Sequence, residues 1–147
     1  MSENPDILAY RAFLADPRPV ALTSGPLLTE LGAWLMETDP DKGSVTLRFD
    51  PPALFRQGAG AIQGGVVTTM LDFGMAFAAF SRLSGSQTAA TTTINTHIMA
   101  GARPGEVTVI GQVDRMGRTL CHTSARMEQA GRLIATASSS LVVLGGG

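Results

Sequence analysis

The chain has 147 residues, enough for one domain that buries roughly two-thirds of its unfolded surface. Its 11 basic and 12 acidic residues leave no electrostatic footprint for nucleic acid, and its single cysteine, Cys121, excludes an intrachain disulfide and any multi-cysteine metal site. Charged residues make up only 16% against 44% hydrophobic, a balance low in charge for a soluble monomer and suggestive of an oligomer.

The N-terminal "MSENPDILAYRAFLADPRP" carries acids early and lacks an apolar h-region, so it does not read as a secretory signal. Within it Ile7, Leu8, Tyr10, Phe13 and Leu14 cluster on one face, and Pro17 and Pro19 stop a short helix over residues 5 to 16. Next comes "LLTELGAWLMET", the turn "DPDKG" and the alternating "SVTLRFD", together expected to form a hairpin of two strands. "PPALFRQGAGAIQGG" then reads as a loop rich in proline and glycine.

Residues 66 to about 83 contain no proline and read as one long helix. The apolar stretch from Val66 to Phe80 is shorter than the ~20 residues of a membrane span and contains Asp72. A soluble cytoplasmic protein is the expectation. The remaining runs, "TAATTTINTHIMA", "GEVTVIGQVDR", "RTLCHTSARME" and "RLIATASSSLVVL", read as a meander of strands, with "MG" and "QAG" suited to tight hairpins. These elements predict an α+β layer architecture, an antiparallel sheet around a single buried helix. The chain divides into an N-terminal extension (1–20), one domain (21–144) and a disordered tail (145–147).

At 100° per residue Val66, Met70, Phe73, Phe77 and Phe80 share a broad apolar face. Thr68, Asp72, Ala76 and Ala79 fall opposite, and a helix this apolar is expected to be buried all round. Asp72 sits mid-helix with Thr68, Thr69, Met75 and Ala76 as its i±3 and i±4 neighbours, none of them a cation. An unpaired buried carboxylate costs several kcal/mol unless its pKa rises. Aspartate is also a poor helix former, and such violations of local rules concentrate at functional sites. A structural aspartate satisfied by strand residues or water is the alternative. Small neighbours (Thr68, Ala76, Ala79) leave room for a ligand to approach.

Just before this helix, Gly64 and Gly65 present backbone N–H groups at the positive end of its dipole. Such an end can hold an oxyanion, or the glycines simply permit a tight turn into the helix. Acid and glycines lie about 11 Å apart along the helix. That is too far for one copy to serve one carbonyl easily, so a site assembled across a dimer follows.

Taken together, "QGGVVTTMLDFGMAFA", "TTTINTHIMAGARPGEVTVIGQV", "GRTLCHTSARM" and "GRLIATASSSLVV" resemble the hotdog-fold acyl-CoA thioesterases of the phenylacetate-degradation branch, which are similar to 4-hydroxybenzoyl-CoA thioesterase. The resemblance spans roughly residues 21 to 143. It implies the hotdog fold, a five- to six-stranded antiparallel sheet wrapped around the long helix. It also implies a dimer with a continuous sheet, pairing again into a dimer of dimers, with active sites at the dimer interface. On this resemblance Asp72 is the general base or nucleophile, Gly64 N–H of the facing protomer binds the thioester oxygen, and Thr91 positions water. Gly65 and Thr68 fall in the substrate site. Of the loop arginines Arg103, Arg115, Arg118 and Arg132, the resemblance places Arg118 in the turn "RMGR" near the coenzyme A phosphates, ordinary hairpin charges being the alternative for each. Hydrolysis needs no metal or cofactor, coenzyme A being part of the substrate.

Two positions depart from the family pattern. Gln63 stands where His-Gly-Gly would place histidine, and Gln57, six residues earlier, stands where asparagine is common. Glutamine can donate or accept but not titrate. The base survives, and the hold on the thioester changes. Elsewhere, Thr91, Thr93, Asn95 and His97 are expected to share one strand face. His97 and His122 lack the spacing of a metal site. Cys121 reads as a small buried apolar residue. The alternative function is a non-catalytic hotdog module that binds an acyl-CoA or aromatic ligand. A hotdog hydratase is disfavoured because no "Asp-x-Asn-Pro-x-His"-like loop is present.

Overall fold

The computed structural model describes residues 3–146. Gly147, the end of the expected tail, lies outside the described residues. Helix α1 (Pro5–Ala15) starts on Asn4, whose side chain accepts from Asp6 N–H, with Pro5 in the first turn where its missing donor costs nothing. Ile7, Tyr10 and Phe13 are buried, whereas Leu8 and Leu14 are exposed. The buried stripe is therefore narrower than the five-residue face the sequence suggested: Leu8 lies 100° round from Ile7, and Leu14, although in line with the stripe, sits at the end of the helix.

Strand β1 (Val20–Ala21) is followed by a short helix α2 (Pro26–Glu30), then β2 (Trp34–Asp39) and β3 (Ser44–Phe49). The expected hairpin is present as β2–β3, but its first half is wrong. Pro26 opens a helical turn, Gly32 at φ 58 ends it, and only Trp34 onward is extended. A 3-10 turn (Ala53–Phe55) leads to α3 (Gly64–Phe80), and β4 (Thr88–Ile98), β5 (Val107–Met116), β6 (Leu120–Gln129) and β7 (Arg132–Leu144) complete the chain.

All seven strands form one antiparallel sheet in the order β1-β2-β3-β5-β6-β7-β4. The two-residue β1 accounts for the excess over the expected five or six. The last four strands are not a simple meander. β5, β6 and β7 are successive hairpins, while β4 pairs with β7 and forms the far edge. The β6–β7 turn places Ala130 (φ 50) and Gly131 (φ 76) in left-handed conformations, as a two-residue hairpin of that hand requires.

Helix α3 lies on the inner face of the sheet. Val67, Met70, Leu71, Gly74, Met75, Ala78 and Ala79 are buried, against Val109 of β5 and Met127 of β6 among others. Val66, Thr68, Thr69, Asp72, Phe73 and Ala76 are only half-buried. The helix is thus not enclosed all round: of the expected apolar face Met70, Phe77 and Phe80 are buried and Val66 and Phe73 only half-buried, while burial also extends through Val67, Leu71, Gly74 and Ala78. Helix α1 covers its C-terminal end, with Tyr10 and Phe80 edge-to-face at 6.3 Å and the Tyr10 hydroxyl 3.1 Å from Thr38 Oγ1. Among the described residues no helix is long and apolar enough to cross a membrane.

Candidate active site

Helix α3 begins two residues earlier than its apolar period suggests, because Gln63 caps it. Gln63 has extended backbone angles (φ −60, ψ 137). Its Oε1 accepts from Val66 N–H at 3.1 Å, and its carbonyl accepts from Val66 N–H at 2.9 Å and Val67 N–H at 3.1 Å. Val67 N–H thus makes the first regular helix bond, and of the four donors a helix start leaves over, Val66 N–H is capped and Gln63 N–H is taken by Phe55 O at 2.8 Å. The other two belong to Gly64 and Gly65, and neither has an acceptor among the described residues. They sit at the positive end of the helix dipole. A Cβ at 65 would lie 2.8 Å from the capping Oε1 of Gln63, so a side chain there would shift the cap. At Gly64 a Cβ would lie 3.2 Å from Ile98 Cδ1 at the end of β4.

Asp72 lies two turns further along, about 12 Å from Gly64 at 1.5 Å per residue. Its Oδ1 accepts from the Thr91 hydroxyl of β4 at 2.8 Å. None of the ion pairs among the described residues includes Asp72. Burial pushes its carboxyl above the usual carboxylate range, and the Thr91 hydrogen bond pulls it partly back. The group can therefore hold or release a proton closer to neutral pH than a surface aspartate.

Between these two points the Thr68 hydroxyl reaches Gly64 O at 3.1 Å and Thr96 Oγ1 of β4 at 3.1 Å. Helix and strand thus run alongside each other in matched order: Gly64 by Ile98, Thr68 by Thr96, Asp72 by Thr91. Thr96 is a site neighbour that sequence reasoning missed. The expectation that Thr91, Thr93, Asn95 and His97 share a face is corrected. The β4–β7 register shifts between Thr91 and Thr93, so Thr91 and Thr96 both reach the helix, whereas Thr93, Asn95 and His97 point away from it. Three consecutive threonines give alternation no apolar marker from which to set its phase.

The remaining candidates are scattered. Gln57 is exposed and spends its side-chain oxygen on Ala59 N–H within the loop. Arg118 is exposed in the β5–β6 turn, which joins the strand end beside the Thr91 row: Thr91 pairs with Leu141 and Leu141 with Cys121. It lies at the Asp72 end of the sheet, away from Gly64. His122 faces outward and its Nδ1 lies 3.1 Å from Ser140 Oγ. Cys121 is fully buried, and burial pushes its thiol up, which makes it unreactive. Among the described residues no cluster of three or more His, Cys, Asp or Glu could hold a metal ion.

Residues 59–136, just over half of the chain, match the model of the thioesterase superfamily. A Pseudomonas aeruginosa protein named "putative esterase" is 33% identical over 118 residues, covering 78% of this chain and 86% of that protein. A thioesterase family protein from Silicibacter pomeroyi superimposes with a TM-score of 0.80 at 26% identity, over 93% of this chain and 99% of its own. A phenylacetic acid degradation-related protein from Ralstonia eutropha, described as a putative thioesterase, gives 0.81 over 90% and 98% of the two chains. At 24% identity that second structure speaks for the fold alone. The chain belongs to the thioesterase superfamily and has its hotdog fold.

Proposed function

We propose that the chain hydrolyses an acyl-CoA thioester to a free acid and coenzyme A. The observation that carries this reading is Asp72. It is a half-buried carboxylate held by the Thr91 hydroxyl, with no cationic partner among the described residues, on a helix that starts with two glycine N–H groups that have no acceptor among those residues. Thioesterase superfamily membership supports the reaction type.

In this mechanism Asp72 takes a proton from water as the water oxygen bonds to the thioester carbonyl carbon. The negative charge that develops on the carbonyl oxygen is met by the N–H groups of Gly64 and Gly65. The C–S bond then breaks, and the departing thiolate recovers the proton from the Asp72 carboxyl. Direct attack by Asp72 on the carbonyl is the other order of events the same residue permits. Thr91 orients the acid and water. The Gln63 amide N–H₂, left over once Oε1 is used for capping, faces the substrate, with Gln57 and Thr68 nearby and Arg118 toward the phosphates.

About 12 Å separates Gly64 from Asp72 on one helix, so each site takes its acid from one protomer and its glycines from the other. The long β4 edge, "TAATTTINTHI", carries no Lys, Asp or Glu to deter pairing. It suits an antiparallel partner strand from a second copy, and the dimers would pair again. A panel of aromatic, short and medium acyl-CoAs with a thiol-trapping dye tests the reading. Release of free coenzyme A that is lost in Asp72→Asn is expected. Binding without release by wild type would instead establish a ligand-binding module.

A further inference from the structure

Between the 3-10 turn and α3 the chain closes a small hairpin. Arg56 pairs across it with Ile62, flanked by Gln57 N–H on Ala61 O at 2.7 Å and Gln63 N–H on Phe55 O at 2.8 Å. At the tip Gly60 N–H bonds Gln57 O at 3.0 Å, and Gly60 holds φ 97, where a side chain would be strained. Ile62 N–H is tied to Ala102 O at 2.6 Å. Backbone bonds therefore fix the hairpin, and its base is Gln63, the cap of the long helix. Gly60 at the tip is four residues from Gly64, no more than about 14 Å away.

The hairpin bounds a cavity of about 490 Å³, lined by Ala53, Arg56, Gln57, Gly58, Ala59 and Gly60. Arg56 is the one charged residue in that lining, and none of the ion pairs among the described residues uses it. Gly58 N–H has no acceptor among the described residues. Gln57 spends Oε1 on Ala59 N–H, which leaves its amide N–H₂ as a third donor. A Cβ on Gly58 would meet nothing within 4 Å, so the backbone there is uncrowded. A guanidinium beside free N–H groups is the donor set of a phosphate-class anion, whose oxygens the planar fork engages two at a time. Arg103 supplies an internal contrast. It follows the Ala102 carbonyl that ties Ile62, but it lies outside the cavity lining.

We propose that this hairpin is a phosphate site for the coenzyme A of the substrate, with Arg56, Gly58 N–H and the Gln57 amide as its donors. The proposal rests on the thioester-hydrolysis reading above, which puts the thioester carbonyl at Gly64 and Gly65 N–H. Coenzyme A carries its phosphates at the far end of a flexible arm from that carbonyl. A site on the neighbouring hairpin can therefore hold them while the thioester is engaged. Arg56 comes to each site with the glycines and Arg118 with the acid, so the two arginines approach the substrate from different protomers.

The test compares Arg56→Gln and Arg103→Gln in the full chain, on an acyl-CoA and on the N-acetylcysteamine thioester of the same acid, which has no phosphate. A hydrogen bond to a charged group is worth about 10-fold or more, so Arg56→Gln should raise KM for the acyl-CoA about 10-fold. Its kcat should stay within about two-fold, the pattern of binding shared by ground and transition states. The N-acetylcysteamine thioester should not distinguish Arg56→Gln from wild type, and Arg103→Gln should match wild type on both substrates. Independently of turnover, calorimetric titration with free coenzyme A should show Kd weakened about 10-fold in Arg56→Gln, while pantetheine binds both proteins alike. If wild type hydrolyses no thioester, the functional reading fails, and the titration still decides the phosphate site. A KM and Kd unmoved in Arg56→Gln overturn the proposal, as does a wild type that binds no coenzyme A. So does an equal loss on the N-acetylcysteamine thioester or in Arg103→Gln. Inorganic phosphate that binds as tightly as coenzyme A would make this a free-anion site and overturn the assignment to the substrate.

Discussion

Gly74 of the long helix and Gly111 of β5 meet backbone to backbone: a Cβ placed on Gly111 would lie 2.0 Å from the Gly74 carbonyl oxygen. A Cβ on Gly74 would in turn meet Val109 Cγ1 at 2.5 Å. This crossing sets how deeply the helix rests on the sheet, two residues from Asp72. Neither obstacle is the far end of a flexible side chain, so a methyl group must push the helix outward. Gly111→Ala is therefore expected to destabilise the fold by about 3 kcal/mol or more. It should also lengthen the Thr91–Asp72 contact. Gly58, where an added Cβ meets nothing within 4 Å, is the control, and its alanine variant should stay within about 0.5 kcal/mol of wild type. Denaturant unfolding of both variants decides the matter. Equal stabilities would mean the crossing has slack.

Asp72 is expected to oppose stability while serving activity. Burial holds its folded-state pKa above the unfolded value. Over that window the native state binds more protons than the unfolded chain, so stability falls as pH rises through it. The penalty remains in full above the folded pKa and vanishes below the unfolded one. Asp72→Asn removes the titration and keeps an acceptor for Thr91. Its Tm should exceed that of wild type at neutral pH, and the two should converge toward about pH 3. Turnover of the acyl-CoA should fall at least ~100-fold. A variant that is both inactive and less stable at neutral pH would contradict the raised pKa.

Thr91 lowers the Asp72 pKa through its hydroxyl. Thr91→Val keeps the shape and removes that hydrogen bond, so the carboxyl should titrate at a higher pH still. The acid limb of the kcat/KM profile should shift toward higher pH by a measurable amount. At a fixed pH on that limb the rate should drop about two- to ten-fold, with Thr91→Ser close to wild type. An unmoved limb in Thr91→Val would show that the hydroxyl does not act on the catalytic ionisation.

What is readable from residues alone follows from which physical signals are local. The helix, its acid and the four long strands announce themselves through period and through turns such as Gln129-Ala130-Gly131. The position of β4 beside β7 does not, because strand order depends on contacts distant in sequence. The bulge at Thr92 is hidden by three identical side chains, and with it goes the pairing of Thr96 with Thr68. Pro26 converts part of an apparent strand into a helical turn, where a fixed φ and a missing donor outweigh alternation. The capping role of Gln63 is also unreadable, since glutamine is not among the preferred caps.

Gln63 caps the helix through Oε1, which accepts from Val66 N–H, and under the proposed mechanism its amide N–H₂ also faces the substrate; one pair of variants divides the two roles. Gln63→Ala removes both and should cost about 1 kcal/mol of stability, the usual worth of a lost cap. Gln63→Glu keeps the acceptor, and a negative charge at a helix N-terminus is favourable, so stability should hold or rise. The same charge stands beside the glycine N–H groups and repels a developing oxyanion, and the N–H₂ donor is gone. Turnover should therefore fall about ten-fold or more in Gln63→Glu. Thermal unfolding and kcat, measured on both variants, separate the two roles. A Gln63→Glu protein with full activity would reduce Gln63 to a cap, and the hold on the thioester would then rest on the glycines alone.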